Sequence, residues 1–457
     1  METEQANSIF ENISRKFRQS VTVKLFSILV LMLLLLIPLA YVDSLITERK
    51  YLSIRAVDEV SQKWANDQLI YGPILTVPAG EWVQIGEHDQ LVKRDIHLLP
   101  SSLQIEGNIE PETLNRGIYE VVVYDSKVSL SGDFDEFGKF QESLKRYDEV
   151  YWDDAFITIH ISDLRGIKEK VLLNWNGNPK SVKPGSSIPK LIASGITVDD
   201  LFEGKPDSES LKFSLDLMLQ GSQKLSFIPM GKETDVHLTS SWKDPSFTGS
   251  FLPDERTVTE NGFTSTYKIL ELNRNFPQSW TGDRNTAAIM ESEFGVDLIL
   301  PVNNYTKASR SSKYALLAIS LTFLTFFLVE IFNNKNLHPF QYILIGFALI
   351  LFYTLLVSIS EQSNFDLAYL ISSVSVISMI GLYSKSILKD LKQSLLLIFI
   401  LTLTYTFVYI TLQVQDYALL IGSIGLTSIL ALTMYITRNI NWYELNVSGK
   451  NQTPVQS

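Results

Sequence analysis

The chain has 457 residues, 46% of them hydrophobic, and carries a net charge of −11 at pH 7. The absence of cysteine excludes disulfide bonds, thiolate metal sites and cysteine nucleophiles. The acidity falls almost wholly in residues 44–312, which hold roughly 40 acidic and roughly 28 basic side chains. An acidic domain of this kind is a poor partner for nucleic acid.

The N-terminal part of the chain predicts a cytoplasmic tail, residues 1–22, followed by one transmembrane helix, residues 23–43. Ile9, Ile13, Phe17 and Val21 recur every four residues, which predicts an amphipathic helix on the inner leaflet or an extension of the first span. The uncharged run 25–42 is long enough to cross a bilayer. A long basic segment precedes it and no small-x-small site follows, which favours an uncleaved signal anchor.

Residues 44–312 are predicted to form a large β-rich domain on a helical stalk that covers residues 44–65. Short runs rich in Val, Ile, Tyr and Phe predict strands, which we expect to pair in antiparallel fashion because the connections look short. A helix is expected around Phe134–Tyr147, and the polar stretch Lys205–Ser210 is a candidate boundary between two lobes. The clearest predicted strands are Gly117–Tyr124, Ala155–Ile161, Leu211–Leu219, Thr234–Ser241 and Gly262–Leu270.

Residues 313–437 predict a bundle of five transmembrane helices, and residues 438–457 a second cytoplasmic tail. The predicted spans are Tyr314–Phe332, Phe340–Ser360, the short and serine-rich Leu367–Tyr383, Ser394–Leu412 and Tyr417–Ile436. Polar links join them, the longest being Ser384–Gln393. Every link with Lys or Arg falls on one side, which places both termini in the cytoplasm and the large domain outside it. The predicted fold is a mixed membrane protein with six spans (1 + 5) and an inserted extracytoplasmic β-rich domain.

The sequence predicts no catalytic, cofactor or metal site, and therefore no enzyme. It contains no nucleotide-binding loop, zinc-protease helix or serine-hydrolase elbow. Its five histidines do not pair at the spacing usual for zinc ligands. His97 and His160 stand inside predicted strands, where a structural role is favoured.

Two clusters are nevertheless candidate sites. At the inner end of the second span, Glu330, His338, Gln341 and Tyr342 are either a functional cluster or the polar anchors of a tight hairpin, and the hairpin is favoured. Glu330 is expected to reach the interface or to pair with Lys335.

In the outer domain, Asp163 and Arg165 are either a ligand-binding ion pair or a charged turn, and the turn is favoured. Trp242 is either a platform for stacking a sugar or a packed strand corner, and the corner is favoured.

The chain resembles the CreD family of bacterial inner-membrane proteins, also called cell envelope integrity proteins. In the last third the resemblance is carried by Arg310–Tyr314, Leu337–Tyr342, Gly346–Ala348, Ser358–Glu361, Asp416–Leu420 and Trp442-Tyr443. In the outer domain it is carried by Gln68, Gly72-Pro73, Leu99-Pro100, Asp163–Ile167, Gly221-Ser222, Pro229–Lys232, Ser241-Trp242 and Leu272–Asn275. The resemblance implies a role in envelope integrity and no established reaction, so it supplies no catalytic residues.

Three functions remain open from the sequence. The favoured one is a non-enzymatic protein of the bacterial inner membrane whose partners are the lipid bilayer and an unknown envelope protein or component, bound by the outer domain. The alternative is a transporter or lipid-handling protein that works through the C-terminal bundle. An enzyme in the outer domain would rest only on Asp163, Arg165 and scattered histidines.

Overall fold

The computed structural model describes residues 21–85, 87–299, 304–332, 337–414 and 417–438. Packing divides the chain into two compact units, which we name the membrane unit (Met1–Leu52 with Val302–Ser457) and the sheet domain (Ser53–Pro301). The predicted amphipathic helix and most of the C-terminal tail lie outside the described residues. The predicted borders between tails, spans and outer domain say where the chain crosses the membrane surface. Packing does not test them, so they stay predictions.

The first element is a single helix of 44 residues, α1 (Val21–Trp64). Its apolar part is long and hydrophobic enough to span a membrane. At 1.5 Å per residue the helix is about 65 Å long, roughly twice the thickness of a hydrocarbon core. It continues without a break through residues 44–64, the stretch whose apolar spacing predicts a helical stalk.

The sheet domain contains two short helices, α2 (Phe137–Leu144) and α3 (Thr286–Met290), among its strands. The strands are, in chain order, β1 (Gln68–Ile85), β2 (His88–Leu98), β3 (Ser102–Arg116), β4 (Tyr119–Asp133), β5 (Glu149–Val150), β6 (Phe156–Ile161), β7 (Leu172–Trp175), β8 (Asn178–Ser181), β9 (Lys183–Pro184), β10 (Gly195–Val198), β11 (Lys212–Ser222), β12 (Lys224–Phe227), β13 (Glu233–Ser240), β14 (Pro245–Gly249), β15 (Glu255–Thr259), β16 (Gly262–Leu270), β17 (Ser279–Thr281) and β18 (Phe294–Leu298). The predicted β-rich domain is therefore confirmed, and so is the helix expected before Tyr147.

The strands form two sheets. The first has ten strands in the order β14-β18-β12-β1-β6-β10-β9, with β2 and β5 also paired to β1 and β17 to β2. The second has eight, in the order β15-β16-β13-β3-β4-β11-β7-β8. Strand β3 alternates buried and exposed side chains over most of its length, as expected where one face meets the core and the other meets water. Strand β6 is buried on both faces and lies near the centre of its sheet.

The expectation of purely antiparallel pairing is wrong for two pairs. Strand β1 pairs in parallel with β12, and β3 pairs in parallel with β13. Each pair is separated by more than a hundred residues, long enough for the chain to return to the end at which it started. Short connections therefore predict the hairpins correctly but give no information about these distant partners.

Both sheets face one continuous buried core. The ring of Tyr267 on β16 lies 4.8 Å from that of Phe294 on β18, measured between centroids. The hydroxyl of Tyr124 on β4 donates to the carbonyl of Lys224 on β12 at 2.7 Å. Lys205–Ser210 lies in a loop between β10 and β11. Because the two sheets share one core, this loop does not divide the domain into two lobes.

The membrane unit continues after the sheet domain with α4 (Asn304–Lys313), α5 (Ala315–Phe332), α6 (Pro339–Ser360), α7 (Phe365–Leu388), α8 (Leu391–Gln413) and α9 (Ala418–Thr437). Within the described residues, α1 and α5 to α9 are six helices long and apolar enough to cross a membrane. The predicted arrangement of one span, a β-rich region and five further spans is confirmed.

The predicted link Ser384–Gln393 is wrong, because α7 runs on to Leu388. Only two residues separate α7 from α8: Lys389, which ends α7 in a left-handed conformation, and Asp390, whose carboxylate caps α8 by accepting the Lys392 N–H. Ser384 does not break the helix, since its hydroxyl donates back to the Gly381 carbonyl at 2.8 Å. A polar residue in a span is thus satisfied by its own helix.

Candidate functional site

The candidate residues of the membrane unit meet where α5 ends and α6 begins. The carboxylate of Glu330 accepts hydrogen bonds from Lys24 Nζ at 2.7 Å, from the Leu337 N–H at 3.1 Å and from the Tyr342 hydroxyl at 3.0 Å. Only 3% of Glu330 is exposed. We name these four residues the Glu330 clamp. It fastens α1, α5, α6 and the turn between the last two to one another.

Glu330 is buried among donors of the chain, because a carboxylate in an apolar bundle is stable only where several donors surround it. Its expected position at the membrane interface stays a prediction. Lys335, the partner suggested by the sequence, lies outside the described residues. The ion pair within the described chain is the one with Lys24, which is 306 residues away.

His338 and Gln341 belong to the helix end itself. The His338 ring accepts the Phe340 N–H at 3.2 Å, and the Gln341 side-chain oxygen accepts the His338 N–H at 2.9 Å. Together with Pro339 in the first turn they form a capping box, which satisfies N–H groups that α6 leaves open. The geometry is that of an anchored hairpin, and a functional role for the cluster stays a prediction.

In the sheet domain, Asp163 and Arg165 lie in the turn that follows β6. Arg165 Nε donates to Asp163 Oδ1 at 2.9 Å, and Arg165 Nη2 donates to Asp163 Oδ2. Asp163 also accepts the backbone N–H groups of Asn66 at 3.0 Å and of Arg165 at 3.1 Å. The guanidinium, helped by these two N–H groups, lowers the pKa of Asp163 to about 2. The carboxylate is therefore ionised and fully engaged.

The same ion pair holds the end of α1. Arg165 Nη1 donates to the carbonyl of Gln62 in the last turn of that helix, where a cation also complements the helix dipole. Gln68, at the start of β1, donates to the carbonyls of Asp163 at 3.0 Å and Gln220 at 2.9 Å. We name Gln62, Asn66, Gln68, Asp163 and Arg165 the stalk junction.

Close packing explains why glycine follows Arg165. A Cβ added to Gly166 would lie 2.3 Å from the Gln220 carbonyl oxygen and 2.5 Å from Gln68 Nε2. Any larger residue would push the turn away from the stalk junction. Asp163–Ile167 therefore packs against Gln220, the residue directly before Gly221-Ser222. Both stretches carry the family resemblance.

Trp242 contacts the chain at the C-terminal end of the sheet domain. Its indole Nε1 donates to the carbonyls of Asp244 at 3.2 Å and Ile299 at 3.1 Å, and its ring packs against the core. Ile299 directly follows β18, the last strand. Trp242 thus holds the chain where it leaves the sheet domain, and its N–H is used by the protein's own carbonyls. A role in stacking a sugar stays a prediction.

The stalk junction and Trp242 lie at the same end of the first sheet. Strand β12 stands between β1 and β18, with Gln68 beside Leu225 and Leu225 beside Val296. Because β1 and β18 run in opposite directions, the start of one lies level with the end of the other, about 10 Å away across two strand spacings. Both chain ends of the sheet domain therefore lie at the same end of the first sheet.

At the other end of β1, residues 81–85 pair with residues 88–92 of β2, and we name these two paired stretches the arm. Strand β5 pairs with Ala79 and Gly80, but within the described residues the arm's two strands pair in the sheet only with each other. Trp82 in the arm is 55% exposed. Sequence reasoning missed the arm, because only the structure shows that β1 extends beyond its other neighbours.

Sequence reasoning also missed Arg274, which is almost completely buried. Its guanidinium donates to the carbonyls of Phe276 at 2.8 Å and Gly231 at 3.4 Å. Burial lowers its pKa to about 10, so it remains a cation at neutral pH. The one signal in the sequence is that Arg274 and Gly231 both lie in stretches that carry the family resemblance. The contacts give Arg274 a structural role.

The two buried histidines of the sheet domain are engaged with neighbours. His97 Nδ1 lies 3.0 Å from Thr76 Oγ1, and the His160 ring stacks on Tyr71 with centroids 4.4 Å apart. Burial lowers the pKa of each to about 4, so both are neutral at pH 7. Among the described residues, no group of three or more His, Asp or Glu side chains is arranged to hold a metal ion.

Comparison with known proteins decides the family. The family model described as inner membrane protein CreD matches residues 20–443. The chain is 33% identical over 428 residues to Inner membrane protein CreD of Escherichia coli (strain K12), which covers 93% of this chain and 94% of that protein. The chain belongs to the CreD family. The matched range includes α1, the whole sheet domain and all five later spans, so the resemblance carried by the sequence is confirmed.

Membership of the CreD family makes this chain an inner-membrane protein with several spans. The clamp, the stalk junction and the Trp242 contact are therefore features of a CreD-family protein. In each of the three, the polar groups bind other groups of the same chain.

Proposed function

We propose that this protein supports the integrity of the bacterial cell envelope without catalysing a reaction. Its sheet domain binds an envelope protein or another envelope component, while the spans anchor it in the inner membrane. The family resemblance supports the envelope role. The use of Asp163, Arg165, Trp242 and Glu330 in bonds within the chain supports a non-enzymatic one, because each candidate for chemistry is already engaged.

The proposal includes a topology with both termini in the cytoplasm and the sheet domain in the periplasm. Basic residues of the short links support it, since Lys385, Lys389 and Lys392 lie at one side of the bundle. Glu361 and Asp366, in the link between α6 and α7, lie at the other side and have no basic residue between them.

The arm is the feature of the sheet domain that supports its role in binding a partner. It lies at the end of β1 opposite to the two chain ends of the domain, and it exposes Trp82. A tryptophan combines a large apolar surface with one hydrogen-bond donor, which is why it is enriched at the centres of protein interfaces. We assign the partner contact to this arm.

The test is complementation of a strain that lacks the gene, scored by sensitivity to detergents, β-lactams and colicins. The wild-type gene restores resistance, whereas Trp82→Ser does not, because the partner contact loses its apolar anchor. The matched control is Leu272→Ser, which also removes an exposed apolar side chain of the sheet domain, one that is 93% exposed. This control restores resistance fully.

Immunoblots of membrane fractions should show that both variants accumulate to wild-type levels, because both positions are exposed. A deletion strain whose three sensitivities equal those of its parent would contradict the envelope role itself. Full complementation by Trp82→Ser would instead contradict the assignment of the contact to the arm.

The alternative function, transport or lipid handling by the helices, is favoured by one observation, an apolar cleft between α5, α8 and α9. Coupled transport would need ionisable groups in the bundle, and Glu330 and His338 are the candidates. If Glu330→Gln and His338→Ala both complement the deletion fully, neither side chain is needed for the function. The transport hypothesis then loses these two candidate residues.

A further inference from the structure

A cleft of about 660 Å³ lies within the membrane unit between α5, α8 and α9. Its volume falls in the range of about 300–1,000 Å³ that is usual for small-molecule sites. Helix α5 lines it from Leu317 to Phe332, a rise of about 22 Å at 1.5 Å per residue. The cleft therefore runs along more than half of a hydrocarbon core about 30 Å thick.

The long walls of the cleft are apolar. On α5 the lining residues Leu317, Leu321, Leu324 and Leu328 recur at helical spacing, so they share one face. None of the apolar stretch of α9 is buried within the protein. The cleft is thus bounded by a loosely packed span and lies where the surrounding medium is lipid.

One end of the cleft is closed by a tight contact between α8 and α9. A Cβ added to Gly425 on α9 would lie 2.3 Å from the ring of Phe407 on α8, and both residues line the cleft. The two helices therefore touch at this end of the cleft. A long apolar chain entering the cleft would stop at Phe407.

The other end carries the polar lining groups Lys392 and Gln393, in the first turn of α8. Gln393 Oε1 is buried and accepts no hydrogen bond from any described residue. A buried acceptor without a donor is costly in an apolar medium. Lys392 adds a positive charge beside it. The end therefore fits an occupant that brings both a negative charge and a hydrogen-bond donor.

We propose that the cleft holds one anionic glycerophospholipid of the phosphatidylglycerol class. The acyl chains lie along the leucine face of α5, the phosphate pairs with Lys392 Nζ, and a headgroup hydroxyl donates to Gln393 Oε1. A free apolar molecule would leave both polar groups without a partner, and a soluble anion would leave the apolar walls empty. The proposal rests on the bundle alone and is independent of the envelope contact made by the sheet domain.

The test is native mass spectrometry of the full chain in mild detergent, titrated with dioleoyl phosphatidylglycerol. One lipid binds saturably, ahead of any others. Dioleoyl phosphatidylcholine keeps the phosphate but has no net charge and no headgroup donor. It binds at least about fivefold more weakly, because its choline ammonium offsets the negative charge that faces Lys392 and no hydroxyl reaches Gln393. Lys392→Gln weakens the phosphatidylglycerol complex by a similar factor, and Ser428→Trp abolishes it by filling the cleft.

Two matched controls accompany these variants. Lys389→Gln removes a neighbouring charge, and Thr427→Trp adds the same ring beside Ser428, but neither residue lines the cleft. Both controls bind the lipid as the wild type does. The proposal would be overturned if lipids added one after another without a saturating first site, and did so equally in all variants. Such binding would be that of annular lipid only.

Two further results would also overturn it. If the two lipids bound with equal affinity and Lys392→Gln changed neither affinity, the cleft would not contact the headgroup. Lipid binding that appears only after deletion of residues 439–457 would assign the cleft to the C-terminal tail of this chain.

Discussion

The sheet domain and the membrane unit each bury a carboxylate, and they satisfy it differently. Asp163 is held by Arg165, two residues away, and by two backbone N–H groups. Glu330 is held by Lys24, from the other end of the chain, and by groups from the next helix and the turn before it. The first arrangement fixes a turn and a helix end. The second fixes three helices to one another.

The difference follows from the surroundings. In the sheet domain the carboxylate of Asp163 is buried, but its partner Arg165 is largely exposed to water, so a local pair is sufficient. In an apolar bundle no water is available at low cost, and the charge must be matched by donors that the fold itself brings together. We therefore expect the clamp of the membrane unit to be more sensitive to the loss of one partner than the stalk junction.

The largest expected effect is that of Lys24→Met, which leaves the Glu330 charge buried without its ammonium partner. We expect a loss of about 4 kcal/mol, within the range measured for broken buried ion pairs. The measurement is an SDS titration in mixed micelles followed by far-UV circular dichroism. Lys385→Met, an exposed lysine of α7, is the control. If Lys24→Met were as stable as the control, the contrast between the two carboxylates would fail.

Removing both charges sharpens the same comparison. The double variant Lys24→Met/Glu330→Leu no longer buries an unpaired carboxylate, so it should recover at least half of the lost stability. A double variant that is less stable than Lys24→Met would show that Glu330 acts through contacts other than the ion pair.

The next effect is a pH dependence of the unfolding free energy that we expect for the sheet domain. His97 and His160 lie in the sheet domain, and each has a pKa of about 4 instead of 6.5. Above pH 6.5 both are neutral in the folded and unfolded states. As the pH falls from 6.5 to 4 the unfolded chain binds protons that the folded domain does not, so the free energy of unfolding decreases by about 3 kcal/mol per histidine.

Urea unfolding followed by tryptophan fluorescence measures this loss, since six of the seven tryptophans lie between residues 53 and 301. His97→Gln removes one titrating group and should halve the change in unfolding free energy between pH 6.5 and pH 4. The variant His88→Gln, at an exposed position of the arm, serves as the control. A pH dependence that His97→Gln leaves unchanged would exclude His97 as its source.

A smaller effect is expected for Asp163→Asn. Because the pKa of Asp163 is depressed to about 2, its contribution is fully present above pH 4 and is lost as the pH falls through about 2. We expect the variant to be about 2 kcal/mol less stable than the wild type at pH 7, and equal to it near pH 2. Urea unfolding at both pH values measures the difference. Asp89→Asn, in the exposed arm, should differ from the wild type at neither pH.

The smallest effect concerns Trp242→Phe, which keeps an aromatic ring but removes the indole N–H that binds the Asp244 and Ile299 carbonyls. The expected loss is about 1 kcal/mol in the same urea experiment. Trp82→Phe, on the exposed arm, should stay within about 0.5 kcal/mol of the wild type. Equal losses in the two variants would mean that the two carbonyl contacts contribute nothing measurable.

Local patterns in the sequence predict much of this molecule. Hydropathy identifies the six spans, and alternation identifies strands such as β16, whose predicted bounds, Gly262–Leu270, are those of the structure. The bonds of Asp163 with Arg165 are also local, so their spacing suggests a charged turn. In each case the deciding interactions connect residues that are close in sequence.

The rest depends on contacts that no local pattern contains. The parallel pair β1–β12 and the ion pair of Lys24 with Glu330 join residues that are 157 and 306 positions apart. The exposure of Trp82 depends on where its neighbouring strands end. The sequence does not reveal the true end of α7, because Ser384 and Ser386 look like a link, although the Ser384 hydroxyl bonds to its own helix.

The central claim is that the sheet domain lies outside the cytoplasm while the link between α7 and α8 lies inside. The chain has no cysteine, so Ser208→Cys in the sheet domain and Ser386→Cys near the end of α7 each introduce one exposed thiol. A membrane-impermeant maleimide applied to intact cells should label the first variant and should label the second only after lysis. Labelling of Ser386→Cys but not Ser208→Cys in intact cells would contradict the account.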